Sequence, residues 1–87
     1  LYSLRQRLAR FILSHGRVRG HDRPGGRRSV SIALSQSALA SVLGASRPKI
    51  NGALQELERG GVIERRGALV YYEPARLATE AEGHAQA

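Results

Sequence analysis

The sequence predicts an α+β fold that is mainly α, with a three-helix core and a small antiparallel sheet. Three observations predict it. Leu39, Ala40 and Leu43 share one helical face, and Ile50, Ala53, Leu54 and Leu57 share another, with Gly44 between the two runs. Residues 29–34 alternate polar and apolar, as a strand with one buried face does. Two β-prone runs, 62–65 and 68–72, flank Arg66-Gly67 and read as a hairpin.

The elements follow in chain order. Leu4, Leu8, Phe11 and Ile12 repeat at helical spacing within Ser3–His15, and Arg5, Arg7 and Arg10 lie off that stripe, so this helix has a basic outer side. It is expected to end at His15-Gly16, where the helix dipole favours a cation. Gly16–Arg28 reads as a loop because Pro24-Gly25-Gly26 is turn chemistry and no apolar period runs through it. Its five arginines, Arg17, Arg19, Arg23, Arg27 and Arg28, form either a solvated mobile loop or a phosphate-contacting arm. It is no phosphate-cradling P-loop, since no Gly-Lys-Ser/Thr follows the glycines. In the strand at 29–34, Val30, Ile32 and Leu34 point inward.

Residues 35–59 then form two short helices. Ser35 can cap the first by accepting a backbone N–H two or three residues on. Gly44 supplies the positive φ that a helix end needs. Ser46 can cap the second, although Pro48 prefers the first helical position, which would make Arg47 the cap. Helices joined this tightly cannot pack antiparallel; they cross steeply, as in a helix-turn-helix. Ala40 is small where the two backbones approach. The hairpin at 62–72 is then the wing of a winged helix-turn-helix, with Arg65 and Arg66 at its tip, and pairing with 29–34 makes a three-stranded sheet. An isolated hairpin would be marginal in water and needs the helices to pack on. Pro74 is expected to start a short helix through Leu77. Ala78–Ala87 reads as a frayed end, which puts the domain at 1–80 and the tail at 81–87.

Composition narrows the function. Eighty-seven residues make one domain with a modest core. Without cysteine there is no disulfide framework or thiolate metal site. No apolar run approaches the ~20 residues of a membrane span. His15, His21 and His84 fit no metal-ligand spacing. The chain has no methionine and begins Leu-Tyr-Ser, which reads as a fragment of something longer. Its net charge is +7 and is segregated: residues 1–53 carry ten basic side chains against Asp22 alone, and residues 54–87 carry four arginines against six glutamates. A one-sided excess of this kind is the electrostatic footprint of a polyanion, nucleic acid or anionic membrane.

The second helix, 47–59, carries the candidate readers. Opposite Ile50 and Leu57 lie Pro48, Gly52, Gln55 and Arg59, flanked by Lys49 and Asn51. Arg47 stands at the amino end, where recognition helices meet base edges. Arginine suits guanine, asparagine or glutamine suits adenine, and lysine as a point charge suits phosphate.

From Leu4 to Leu77 the chain resembles the C-terminal DNA-binding domain of the Crp/Fnr superfamily of bacterial transcription regulators. The residues that carry the resemblance are Ser35-Gln36, Leu39-Ala40, Leu43-Gly44, Ser46-Arg47, Leu54, Leu57-Glu58, Gly61 and Ile63. The resemblance implies phosphate contacts from Ser35 and Gln36 and a base contact from Arg47. Pro48 and Gly52 stand where the family often has Glu and Arg, so two usual base readers are replaced. It further implies an N-terminal sensor domain, absent from this chain, that binds a cyclic nucleotide or another effector. A homodimer in the whole protein, a cytoplasmic location and RNA polymerase as a candidate partner follow as well.

The reading is therefore a sequence-specific double-stranded DNA-binding domain, with no cofactor in this chain, no catalytic residue and no membrane partner. Its expected DNA-binding residues are Ser35, Gln36, Ser46, Arg47, Pro48, Lys49, Asn51, Gly52, Gln55, Arg65 and Arg66. The alternative is a winged helix used for protein–protein interaction through Glu56, Glu58, Glu64 and Glu73. An enzyme would need a nucleophile–base pair, and the acids and histidines are scattered.

Overall fold

The computed structural model describes residues 2–32 and 36–83, with the side chain of Gln36 left out of the description. Helix α1 spans Leu4–Arg19, strand β1 His21–Arg23 and strand β2 Arg27–Ser31, with a single 3-10 turn at Pro24–Gly26 between the two strands. Helix α2 spans Gln36–Leu43, helix α3 Arg47–Arg59, strand β3 Ile63–Arg66, strand β4 Leu69–Tyr72 and helix α4 Pro74–Glu82. The strands form one antiparallel sheet in the order β1-β2-β4-β3. This is a winged helix-turn-helix, mainly α, with one more strand than the sequence reading expects and with a longer helix at Pro74.

Helix α1 starts at a capping box. Ser3 Oγ accepts from Gln6 N at 3.1 Å, and Gln6 Oε1 accepts from Ser3 N at 2.7 Å. It does not stop at His15-Gly16 but runs on to Arg19. Gly16 is buried inside it because Tyr72 packs there, and a Cβ on Gly16 would overlap the Tyr72 hydroxyl. The glycine therefore serves close approach rather than termination. Arg28 closes the same corner: its Nη2 donates to Gly16 O at 2.7 Å and its Nη1 pairs with Asp22 at 2.5 Å. Hydrogen bonding with Tyr72, and then with Asp22, raises the pKa of this guanidinium further above its ordinary value.

The predicted loop 16–28 is thus a helix end followed by a hairpin. His21, Asp22 and Arg23 pair with Ser29, Arg28 and Arg27. All three residues of β1 are exposed, so only backbone pairing marks them as a strand. The strand predicted at 29–34 begins earlier, at Arg27. Val30 is buried as expected and pairs with Val70, and Ile32 N donates to Ala68 O at 3.0 Å, while Leu34 lies outside the described residues. Helix α4 continues past Leu77 to Glu82, with Leu77 and Ala81 both buried and Gly83 in the left-handed conformation at its end. Leu8, Ala9 and Ile12 of α1, Ile50, Leu54 and Leu57 of α3, Val30 and Val70 of the sheet, and Leu77 of α4 belong to one buried cluster.

Candidate nucleic-acid interface

The helix-turn-helix is built as its spacing predicts. Gly44 adopts φ +66°, and Ala45 N donates to Ala40 O at 3.0 Å to close α2. A tie from outside the motif fixes the same turn: Arg7 Nη1 donates to Leu43 O at 2.5 Å, placing a guanidinium at the carboxyl end of α2, where the dipole favours a cation. Arg7 is therefore part of the scaffold, not of a solvated basic side of α1. Ser46 is the cap of α3: its side chain accepts from Lys49 N at 3.4 Å, and Arg47 is the first helical residue. Pro48 then sits inside the first turn, where its missing N–H costs no helical bond.

Ile50, Ala53, Leu54 and Leu57 bury one face of α3. The other face carries Arg47, Pro48, Lys49, Gln55 and Arg59, all exposed, with Asn51 and Gly52 half-buried. A Cβ added to Gly52 would meet nothing within 4 Å, so packing within the chain does not require a glycine there. The first turn of α3 contains no acidic residue. Arg47, Lys49 and Arg59 form no ion pair among the described residues. Ser35 lies outside the described residues, and Gln36 opens α2.

The wing hairpin turns at Gly67, which has φ +60°, with Arg66 facing Leu69 across the turn. Strand alternation separates the two wing arginines. Arg66 lies on the outer sheet face, where its Nη2 pairs with Glu64 Oε2 at 2.9 Å and its guanidinium lies 5.0 Å from the centre of the Tyr71 ring. Arg23 and Arg27 flank the same ring at 5.5 and 5.3 Å. Glu64 sits between Arg66 and Arg27, and hydrogen bonds from both, Arg66 first, hold its carboxyl below the usual range. Arg65 points to the opposite face and pairs with Glu58 of α3 at 3.0 Å.

The charge segregation of the sequence is undone in space at two arginines, Arg5 and Arg27, which pair with acids of the second half. Arg5 bonds Glu80 of α4 at 2.6 Å and lies 4.0 Å from Glu56. Of the acids that would form a protein-docking surface, Glu58 and Glu64 are engaged by arginines of the same chain and Glu56 lies beside one. Among the described residues no group of three or more His, Cys, Asp or Glu side chains is placed to hold a metal ion, and no helix is long and apolar enough to cross a membrane.

Comparison with known proteins agrees with this geometry. The family model of the Crp-like helix-turn-helix domain matches residues 6–80. No curated protein sequence matches the chain. Among solved structures, TTHB099, a transcriptional regulator of the CRP family from Thermus thermophilus, is 26% identical with a TM-score of 0.79, over 95% of this chain and 42% of that one. TTHA1359, a CRP/FNR-family regulator from the same organism, is 22% identical with a TM-score of 0.77, over 93% and 41%. The CO-dependent transcription factor CooA from Carboxydothermus hydrogenoformans, in its imidazole-bound form, is 23% identical with a TM-score of 0.74, over 88% and 36%. The chain thus spans about two fifths of the length of these neighbours.

Proposed function

The chain belongs to the Crp-like helix-turn-helix domain family, DNA-binding domains of transcription regulators, and on that premise we propose that it reads double-stranded DNA by laying the exposed face of α3 in the major groove. One observation carries this reading. The amino end of α3 brings Arg47 and Lys49 together, with no carboxylate in the first turn to balance them. Two cations at a helix amino terminus work against the dipole, and a phosphate backbone supplies the missing negative charge.

In this arrangement Arg47 reads a base edge, Asn51 and Gln55 reach further bases, and Lys49, the Ser46 end of the helix, Ser35 and Gln36 hold phosphate. Pro48 and Gly52 present no long side chain, so the helix sits close to the groove floor. Arg66, near the wing tip, is the wing's phosphate contact. One neighbour is named as CO-dependent, and by that analogy an effector acts on a part of the whole protein outside this chain. A homodimer, a cytoplasmic location and RNA polymerase as a further partner complete the proposal on the family resemblance alone.

The test uses the duplex that the chain selects from a randomised pool, alongside a random-sequence duplex. Arg47→Ala costs about 1–3 kcal/mol on the selected duplex and flattens preference at one position, whereas Lys49→Ala weakens both duplexes alike and lowers the salt slope by about one. The reversed pattern would exchange the two roles.

Gly52→Ala tests close approach. With open space for the Cβ, the helix gains about 0.8–1.0 kcal/mol, so the melting temperature rises. Affinity for the selected duplex falls at the same time if the helix backbone lies against the groove. A higher melting temperature with undiminished affinity would show that Gly52 is not used.

A further inference from the structure

We infer that Arg65 and Glu58 are positioning residues that set the angle between the wing and the recognition helix, so that Arg65 acts through Glu58 and not on DNA. The inference rests on the DNA-binding reading above and refines its wing. In β3 the register pairs Ile63 with Tyr72 and Arg65 with Val70, and Tyr72 and Val70 are both buried. Arg65 therefore stands on the core-facing side of an edge strand, where a charge without a partner is costly. Its side chain is 23% exposed and that of Glu58 35%, and both Nε and Nη2 of Arg65 lie 3.0 Å from Glu58 Oε1.

The place of this pair in the chain gives it a task. Between α3 and β3 lie only Gly60, Gly61 and Val62, with Gly61 at φ +73°. Two successive glycines make a turn that bends easily. Backbone bonds from Gly61 N to Glu58 O and from Val62 N to Leu57 O close it, and Arg76 Nη2 of α4 donates to Gly60 O at 2.7 Å. None of these reaches the strand beyond the turn. The Glu58–Arg65 pair does, tying the last turn of α3 to the third residue of β3. The ends of the wing and of α3 then move as one body, and Arg66 is presented at a fixed offset from Arg47 and Lys49.

Measured on the selected and the random duplex, Glu58→Ala and Arg65→Ala separate a strut from a contact, because the two roles give Glu58→Ala opposite signs. If Arg65 touches phosphate, removing the neighbouring carboxylate frees it, so Glu58→Ala tightens both duplexes and Arg65→Ala lowers the salt slope by about one. If the pair is a strut, each variant weakens the selected duplex by roughly three- to tenfold, the double variant is no worse than either single one, and the salt slope stays within a few tenths of wild type. Swapping the charges, Glu58→Arg with Arg65→Glu, then restores most of the selected-over-random preference, and amide exchange at 66–69, accelerated in the single variants, slows again. All binding is read well below each variant's melting temperature. Tighter binding by Glu58→Ala, or a melting shift with unchanged preference, would overturn the strut. Wild-type chain that binds neither duplex would instead remove the DNA reading itself.

Discussion

Raising the salt fourfold lowers the affinity of the chain for random-sequence duplex DNA about 40-fold, from a slope of about −2.7 in log K against log salt. The slope counts the cations of α3 that the fold leaves without an ion pair among the described residues, Arg47, Lys49 and Arg59. On a random duplex Arg47 has no selected base and meets phosphate like the other two, and Arg66 adds little because Glu64 already balances it. Each neutralised phosphate contributes about −0.9. The formal charge of +7 would suggest a steeper dependence, and the structure explains why it should not be reached. Arg5, Arg27, Arg28, Arg65 and Arg66 already face carboxylates of the same chain, and Arg10, Arg17, Arg19 and Arg23 lie on α1 and β1, away from the reading helix. A titration of the duplex at several salt concentrations reads the slope directly. A value near zero would sink the DNA reading, and a value steeper than about −5 would mean that cations outside α3 also reach the phosphate backbone.

The same pairings mark the limit of what the sequence could disclose. The helix-turn-helix was legible because its determinants are local. Leu39 and Leu43, Gly44, Ser46 and the stripe from Ile50 to Leu57 all act within about two turns of helix, and each is found in its expected role. The wing was legible for the same reason. Arg5 meets a carboxylate 75 residues away, and Arg27 one 37 residues away, and no periodicity announces such pairs.

Gly16 is a false helix stop for a related reason. A glycine before a basic loop looks like a helix stop, yet the residue that requires it is Tyr72, brought close only by the folded sheet. Strand β1 was hidden because none of its side chains is buried, so it has no apolar signal to read. Two further local signals stand in the sequence. Ser3 and Gln6 have capping-box spacing, and Leu77 and Ala81, four apart and followed by Gly83, mark the buried face and end of α4. In the candidate site, exposure and direction were the missing quantities: Arg65 and Arg66 are neighbours in sequence and lie on opposite faces of the sheet.

Leu54→Ala destabilises the domain by about 2–5 kcal/mol, while Gln55→Ala, one residue on, changes stability by less than about 0.5 kcal/mol. Leu54 is fully buried, in the cluster that includes Leu8 and Ile12 of α1, so its truncation removes transfer energy and leaves a cavity that fixed helices close only in part. A domain of this size has roughly 4–13 kcal/mol of stability in all, so the loss is a large share of it. Gln55 is exposed on the reading face, where the fold asks nothing of it. Urea unfolding of the two variants, with and without saturating duplex DNA, separates fold from function. Leu54→Ala shifts the midpoint far down, and DNA moves it back up because only the folded chain offers the reading face. Gln55→Ala unfolds like wild type and loses affinity for the selected duplex alone. Equal midpoints for the two variants would mean that α3 does not present one face to the core and the other to the groove, and the proposed docking of that helix would fall with it.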